Sequence, residues 1–155
     1  MVSNPSPEGQ WPTAIRGTYS VILDLLSPSV EIGLVTTNVE AMVEFYEGFL
    51  GLEPQGEIEF ADGSQRRYVL GGSVLKLVTY TTPPPLPAAP GGGRAQAGLR
   101  YFTVGVRNLR DVAAKVEAAG YEIVEPPTEF APVPGMGWMF IADPDGNSIE
   151  LFGTL

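Results

Sequence analysis

Glu31-Ile32-Gly33-Leu34-Val35-Thr36-Thr37-Asn38-Val39 enters a helical stretch that stops at Gly51, and Tyr101-Phe102-Thr103-Val104-Gly105-Val106-Arg107-Asn108-Leu109 enters another that stops at Gly120. A pattern met twice in one chain implies two copies of one supersecondary unit, each hiding an apolar face against the other. The repeat also pairs positions: Glu31 with Tyr101 and, in the strand that closes each unit, Lys76 with Glu150.

Working outward, the β-branched and apolar density from Val30 to Thr36 predicts a strand. Asn38 stands where an N-cap belongs, and Met42, Phe45, Tyr46, Phe49 and Leu50 follow at helical spacing. Three more strands are expected at Glu53 to Phe60, Gln65 to Leu70 and Ser73 to Tyr80, with Ala61-Asp62-Gly63-Ser64 and Gly71-Gly72 as turns. The second unit repeats the plan: a strand from Leu99 to Val106, Asn108 as cap, a helix from Leu109 to Ala119, and strands near Glu122 to Val124, Gly137 to Ala142 and Ser148 to Phe152. Pro126, Pro127, Pro132 and Pro134 predict an irregular loop, and Asp143-Pro144-Asp145-Gly146-Asn147 reads as a turn. Both units are therefore βαβββ.

The flanks are different in kind. Residues 1–28 read as an N-terminal extension, Pro-rich to Pro12 and then an amphipathic piece from Ala14 to Leu26. Between the units, residues 81–98 carry Pro83, Pro84, Pro85, Pro87 and Pro90 followed by Gly91-Gly92-Gly93. Proline stiffness followed by glycine freedom is connector chemistry. The division is thus an extension, then one domain over 29–155 made of module 29–80, linker 81–98 and module 99–155.

A chain of 155 residues, 44% of them hydrophobic, is the size of one domain with a buried core. Nine basic residues against eighteen acidic ones give a formal charge of −9, which repels the phosphate backbone and argues against nucleic-acid binding. Cysteine and histidine are both absent, which removes thiolate chemistry, the commonest metal ligand and the commonest general base. The apolar run from Val21 to Leu26 is interrupted by Asp24 and is too short for a signal peptide or a membrane span. These readings predict a cytoplasmic protein with no membrane association.

Strand alternation puts Glu31, Gly33 and Val35 on one face and Ile32 and Leu34 on the other; Tyr101, Thr103 and Gly105 likewise oppose Phe102, Val104 and Val106. Lys76 stands against Leu75 and Leu77, and Glu150 against Ile149 and Leu151. Each unit then has an apolar face for its helix and a second face with one conspicuous polar residue per strand. That second face is either solvated or folded around a shared hollow where the four polar positions converge.

These residues resemble the vicinal oxygen chelate superfamily, the glyoxalase and bleomycin-resistance-like proteins. The matching text is Glu31-Ile32-Gly33-Leu34, Asn38-Val39-Glu40, Phe45-Tyr46 and Leu50-Gly51-Leu52, then Asp143-Pro144-Asp145-Gly146-Asn147-Ser148-Ile149-Glu150-Leu151. The resemblance implies an α+β fold of two tandem βαβββ modules, forming a curved, cup-like mixed sheet. It also implies a homodimer and, in the family's metal enzymes, a divalent ion held at the positions of Glu31, Lys76, Tyr101 and Glu150. Among these, Glu150 alone is the residue the family pattern leads one to expect. A protonated lysine has no lone pair to donate and repels a cation, so a four-ligand site is disfavoured and no metal ligand is assigned. Two carboxylates and a phenol with water remain the route by which a hard divalent ion would bind.

A lysine at a metal position can instead supply positive charge. Glu31 and Glu150 would flank Lys76, which stabilises a developing oxyanion or donates a proton while one glutamate acts as base and Tyr101 orients the substrate oxygen or serves as an acid; a Schiff base between the lysine and a carbonyl substrate is the lesser alternative. The alternative is a salt-bridge network that fixes the cup and catalyses nothing. Substrate-binding candidates are Arg67, Tyr68 and Thr103, with Trp138 and Phe140 as apolar walls. For Arg67 the ordinary reading is a surface arginine, and for the two aromatics, core packing. The preferred function is a metal-independent lyase, isomerase or cyclase acting on a small oxygenated apolar molecule by epoxide opening, enolisation or ring closure. Alternatives are a non-catalytic small-molecule-binding or antibiotic-resistance protein, and a divalent-metal glyoxalase- or dioxygenase-like enzyme.

Overall fold

The computed structural model describes residues 23–155. Most of the expected extension, including the bulk of the amphipathic piece from Ala14 to Leu26, lies outside the described residues. The first module comprises β1 (Glu31–Val35), α1 (Val39–Val43), a π-helical continuation over Glu44–Phe49, β2 (Glu53–Phe60), β3 (Gly63–Leu70) and β4 (Ser73–Tyr80). The second comprises β5 (Tyr101–Val106), α2 (Leu109–Ala118), β6 (Ile123–Glu129), β7 (Met136–Ala142) and β8 (Ser148–Thr154). The sheets run β1-β4-β3-β2 and β5-β8-β7-β6. In both, the first and last strands of the module pair in parallel and the other pairs are antiparallel. This is the expected α+β architecture of two tandem βαβββ modules.

One core serves both modules. Met42, Phe45 and Tyr46 bury against Tyr68, Leu75 and Leu77 of their own sheet, and the cluster continues into Leu109, Met139, Ile141 and Ile149 of the second. Burying a side chain of this size contributes about 1.5–3 kcal/mol relative to leaving it in water. Phe45 also meets Tyr121 of the second module edge-on, with ring centroids 4.8 Å apart.

A polar tie crosses the same boundary. Tyr46 donates its hydroxyl proton to Asp143 Oδ2 at 2.9 Å. Asp143 is itself buried and accepts from the backbone N–H groups of Asp145 and Asn147 at 3.1 and 2.8 Å, and from Asn147 Nδ2 at 2.9 and 3.1 Å. Burial pushes the Tyr46 and Asp143 pKa values up; for Tyr46 the neighbouring carboxylate adds to the shift. The bonds satisfy a carboxylate that would otherwise be costly to bury, and they fix the turn that delivers β8.

Three local expectations change. Asn38 and Asn108 occupy the cap positions, but neither side chain makes a capping hydrogen bond; at the first site Thr36 Oγ1 accepts the Asn38 N–H at 2.9 Å. The first helix widens into a π-helix, with Leu50 N–H reaching Phe45 O at 2.8 Å, a geometry that the helical spacing of apolar residues does not distinguish from an ordinary α-helix. The loop expected at Pro126 and Pro127 is instead strand, because β6 is a sheet edge where a missing N–H is tolerated, and the register shifts between Glu125 and Thr128.

Candidate functional site

The face of the first sheet that turns away from the helix carries a charge cluster. Register places Gly33 opposite Lys76, and Arg67 opposite Lys76 on its other side. Because Gly33 has no side chain, the lysine stem runs over it, and even an added Cβ would lie 4.0 Å from Lys76 Cε. Lys76 Nζ thereby donates to Glu31 Oε2 at 3.1 Å. Arg67 grips the same carboxylate through both terminal nitrogens, at 2.6 and 3.3 Å, and its Nε donates to Gln55 Oε1 at 3.1 Å. A two-pronged guanidinium contact fixes orientation as well as charge. The hydrogen bonds from Arg67 and then Lys76 pull the Glu31 pKa down to about 2.

The corresponding face of the second sheet is built from rings. Thr103 lies opposite Glu150 and donates its hydroxyl proton to Glu150 Oε2; Phe140 lies opposite Glu150 on the other side. Among the described residues Glu150 forms no ion pair. It borders a cleft of about 370 Å³ whose walls are Tyr101, Phe130, Trp138, Phe140 and Phe152. Tyr101 and Phe140 stand perpendicular at 5.0 Å, and Trp138 meets Phe140 at 5.8 Å and 71°. Glu125 and the linker residues Gly93 and Arg94 complete the rim.

β1 and β5, each an edge strand of its own sheet, border a common seam. A cavity of about 410 Å³ there is lined by Glu31 and Gly33 from one module and Tyr101 and Phe102 from the other. Tyr101 borders both this seam and the aromatic cleft, so it stands between the charge cluster and the rings.

Of the four positions expected to converge, Glu31 and Lys76 are in contact and Tyr101 lies across the seam from Glu31. The expectation that Glu31 and Glu150 both flank Lys76 is corrected: Lys76 bonds to Glu31, and Glu150 bonds to Thr103. Arg67, whose ordinary reading was a surface arginine, belongs to the charge cluster. Trp138 and Phe140 line the cleft that Glu150 borders, and Thr103 donates to Glu150. Tyr68 does not belong with them. Its parity opposes Arg67, its ring is fully buried in the core, and its hydroxyl donates to Glu47 on the helix side at 3.3 Å.

The residues present do not fit the divalent ion that the fold family implies. Both Glu31 oxygens already accept bonds from cations, and Lys76 places an ammonium where a ligand would stand. Among the described residues no three Asp or Glu side chains gather closely enough to hold a metal.

Five residues at the site escaped sequence reading, Phe130 among them because it follows β6 in a proline-rich stretch that reads as irregular loop. Phe152 follows from Glu150 by the two-residue period, and that signal was available. Gln55 sits at the irregularity between Pro54 and Gly56, and Glu125 beside a register shift, where alternation fails. Arg94 lies in a segment that composition marks as connector.

A family model described as the Glyoxalase/Bleomycin resistance protein/Dioxygenase superfamily matches residues 29–151. Comparison with curated proteins gives no match. Among solved structures, a glyoxalase family protein from Bacillus cereus aligns with TM-score 0.73 at 16% identity, covering 88% of this chain and 99% of its own. An antibiotic binding protein, TnmS3, from Streptomyces sp. CB03234 gives 0.59 at 19% identity, covering 81% and 93%. The fosfomycin resistance protein FosX from Mesorhizobium loti gives 0.55 at 16%, covering 84% and 91%. At these identities the likeness is one of fold. Among the described residues no helix is long and apolar enough to cross a membrane.

Proposed function

We propose, on the premise that this chain belongs to the glyoxalase/bleomycin resistance protein/dioxygenase superfamily, that it takes a small, largely apolar oxygenated molecule against the rings of the second module and acts on it by acid–base chemistry without a metal. The observation that carries this is the contrast between two glutamates. Glu31 is saturated by Arg67 and Lys76 and is held as an anion, whereas Glu150 has, among the described residues, a single hydroxyl partner and borders an aromatic cleft. The first is a poor proton acceptor and serves to position cations. The second is placed to act as base.

In this reading Glu150 removes a proton from a ligand lying on Trp138 and Phe140. Tyr101 orients the ligand oxygen at the seam, and Lys76 with Arg67 stabilises negative charge that develops there. Such a division of labour fits enolisation, epoxide opening or ring closure, and the class is lyase, isomerase or cyclase. A general base of this kind contributes about 10²–10⁴-fold in rate. The protein is screened against epoxides such as styrene oxide, and against α-hydroxyketones such as 2-hydroxyacetophenone in D₂O, where enolisation registers as deuterium uptake. Turnover that survives chelator treatment and falls at least 100-fold in Glu150→Gln is expected; turnover that requires an added divalent ion, or persists in Glu150→Gln, would contradict it.

The aromatic wall also supports a second reading, ligand sequestration, in keeping with the antibiotic-binding structural relative. Tight binding of aromatic probes with no turnover by the wild type would favour it. We expect a homodimer, which light scattering on the purified protein checks.

A further inference from the structure

We infer that the cleft beside Glu150 selects an organic cation, a molecule whose apolar body ends in a quaternary ammonium group; this rests on the reading that the open face of the second module is the ligand site. The walls are unusual in combining rings and carboxylates. Tyr101, Trp138, Phe140 and Phe152 are joined there by Glu150 and Glu125. An aromatic ring carries negative potential on its face, so a cation over several rings is attracted by each of them, and most strongly by tryptophan.

The ring geometry suits a box rather than a stack. Tyr101 stands at 90° to Phe140, Trp138 at 71° to Phe140, and Phe130 at 79° to Phe152. Mutually perpendicular rings point their faces in different directions, as an approximately spherical ammonium head requires. A flat neutral aromatic ligand would instead stack on one parallel wall.

Charge points the same way. The groups that face the cleft are Glu125, Glu150 and Arg94, so two carboxylates against one guanidinium leave one negative charge in excess. Arg94 compensates weakly, because its side chain is 85% exposed and its Nε lies 3.9 Å from Glu125 Oε1, where water screens the pair. Among the described residues, the half-buried Glu150 has only the Thr103 hydroxyl as a hydrogen-bond partner. A bound monocation completes the balance, while the protein's formal charge of −9 favours its approach.

The first module presents the opposite balance. Arg67 and Lys76 against Glu31 leave one positive charge in excess. A ligand crossing the β1–β5 seam would therefore carry its ammonium among the rings and its oxygen function toward Lys76. A quaternary ammonium has no N–H proton to give up, so it leaves the Glu150 carboxylate available for the acid–base step.

Isothermal titration calorimetry of the full chain with benzyltrimethylammonium, benzyl alcohol and phenylacetate tests the assignment. The cation is expected to bind at least ten times more tightly than either other probe. Trp138→Phe should weaken it a few-fold and Glu125→Gln about five-fold, both with unchanged melting, and raised salt should weaken it further. Equal or tighter binding of phenylacetate, with loss in the Trp138 variant, would overturn cation selection and leave the ligand site in place. Benzyltrimethylammonium binding that ignores both substitutions would place it elsewhere and overturn the inference. No binding of any probe would overturn it too, whereas turnover lost in Glu150→Gln on a neutral substrate would still support the acid–base reading.

Discussion

The two modules share a topology and differ at four equivalent positions on their open faces. Where the first has Glu31, Arg67 and Lys76, the second has Tyr101, Phe140 and Glu150, and the cross-strand neighbour of the last position is Gly33 in one and Thr103 in the other. In the first module an absent side chain lets a lysine reach a glutamate, and an arginine completes the lock. In the second a threonine holds one carboxylate oxygen and rings replace the cations. One scaffold therefore offers a closed charge cluster and an open aromatic cleft, and the difference lies in the partners rather than the backbone.

The largest way to disturb the comparison is to cut the tie between the halves. Asp143→Ala leaves the Tyr46 hydroxyl and the N–H groups of Asp145 and Asn147 without their acceptor. The expected loss is about 3 kcal/mol in chemical denaturation, against about 1 kcal/mol for Tyr46→Phe, which removes one bond and keeps the ring. A loss in Asp143→Ala no larger than in Tyr46→Phe would mean that the turn stands without the carboxylate.

The charge lock predicts a pH dependence. The folded pKa of Glu31, about 2, lies below its ordinary value of 4.5, so the group contributes stability above pH 4.5 that is lost as pH falls toward 2. The stability difference between wild type and Glu31→Gln should be full at pH 6 and shrink steadily between pH 4.5 and 2. A difference independent of pH would remove the lock.

Making the first module resemble the second is a subtler change. Gly33→Thr copies Thr103 and puts a branched side chain under the Lys76 stem, whereas Gly33→Ala adds only a methyl at ordinary contact distance, 4.0 Å from Lys76 Cε and Val78 Cγ2. The threonine should raise the Glu31 pKa by displacing Lys76. The alanine should leave the pKa unchanged and stability within about 0.5 kcal/mol of wild type. Equal effects from both would mean that the open lane over Gly33 does not matter.

Repeats and alternation carried most of the fold. The doubled strand–helix pattern specified two βαβββ units, and parity placed Glu31, Lys76, Tyr101 and Glu150 on the faces away from the helices. What alternation could not supply was partner choice: that Lys76 turns to Glu31 rather than Glu150 depends on the empty position at Gly33 and on Arg67 one strand away. Tyr68 was misplaced because a strand carrying Arg66, Arg67 and Tyr68 together offers no apolar contrast to say which face each takes, and burial decided it. Glu125 and Gln55 lie beside irregular registers, where counting by two fails. Arg94 sits in a linker whose composition reads as connector, although its backbone is tied down by Arg100, which donates to Gly92 O at 2.8 Å.

The most direct test is a carbon-detected NMR titration of the glutamate side-chain carboxylates from pH 7 to pH 1.5, in the wild type and in Arg67→Ala. The lock predicts a Glu31 midpoint near 2 that moves up in the variant. A wild-type midpoint near the ordinary 4.5, unchanged by removing Arg67, would contradict it and would return Glu31 to the set of candidate bases beside Glu150.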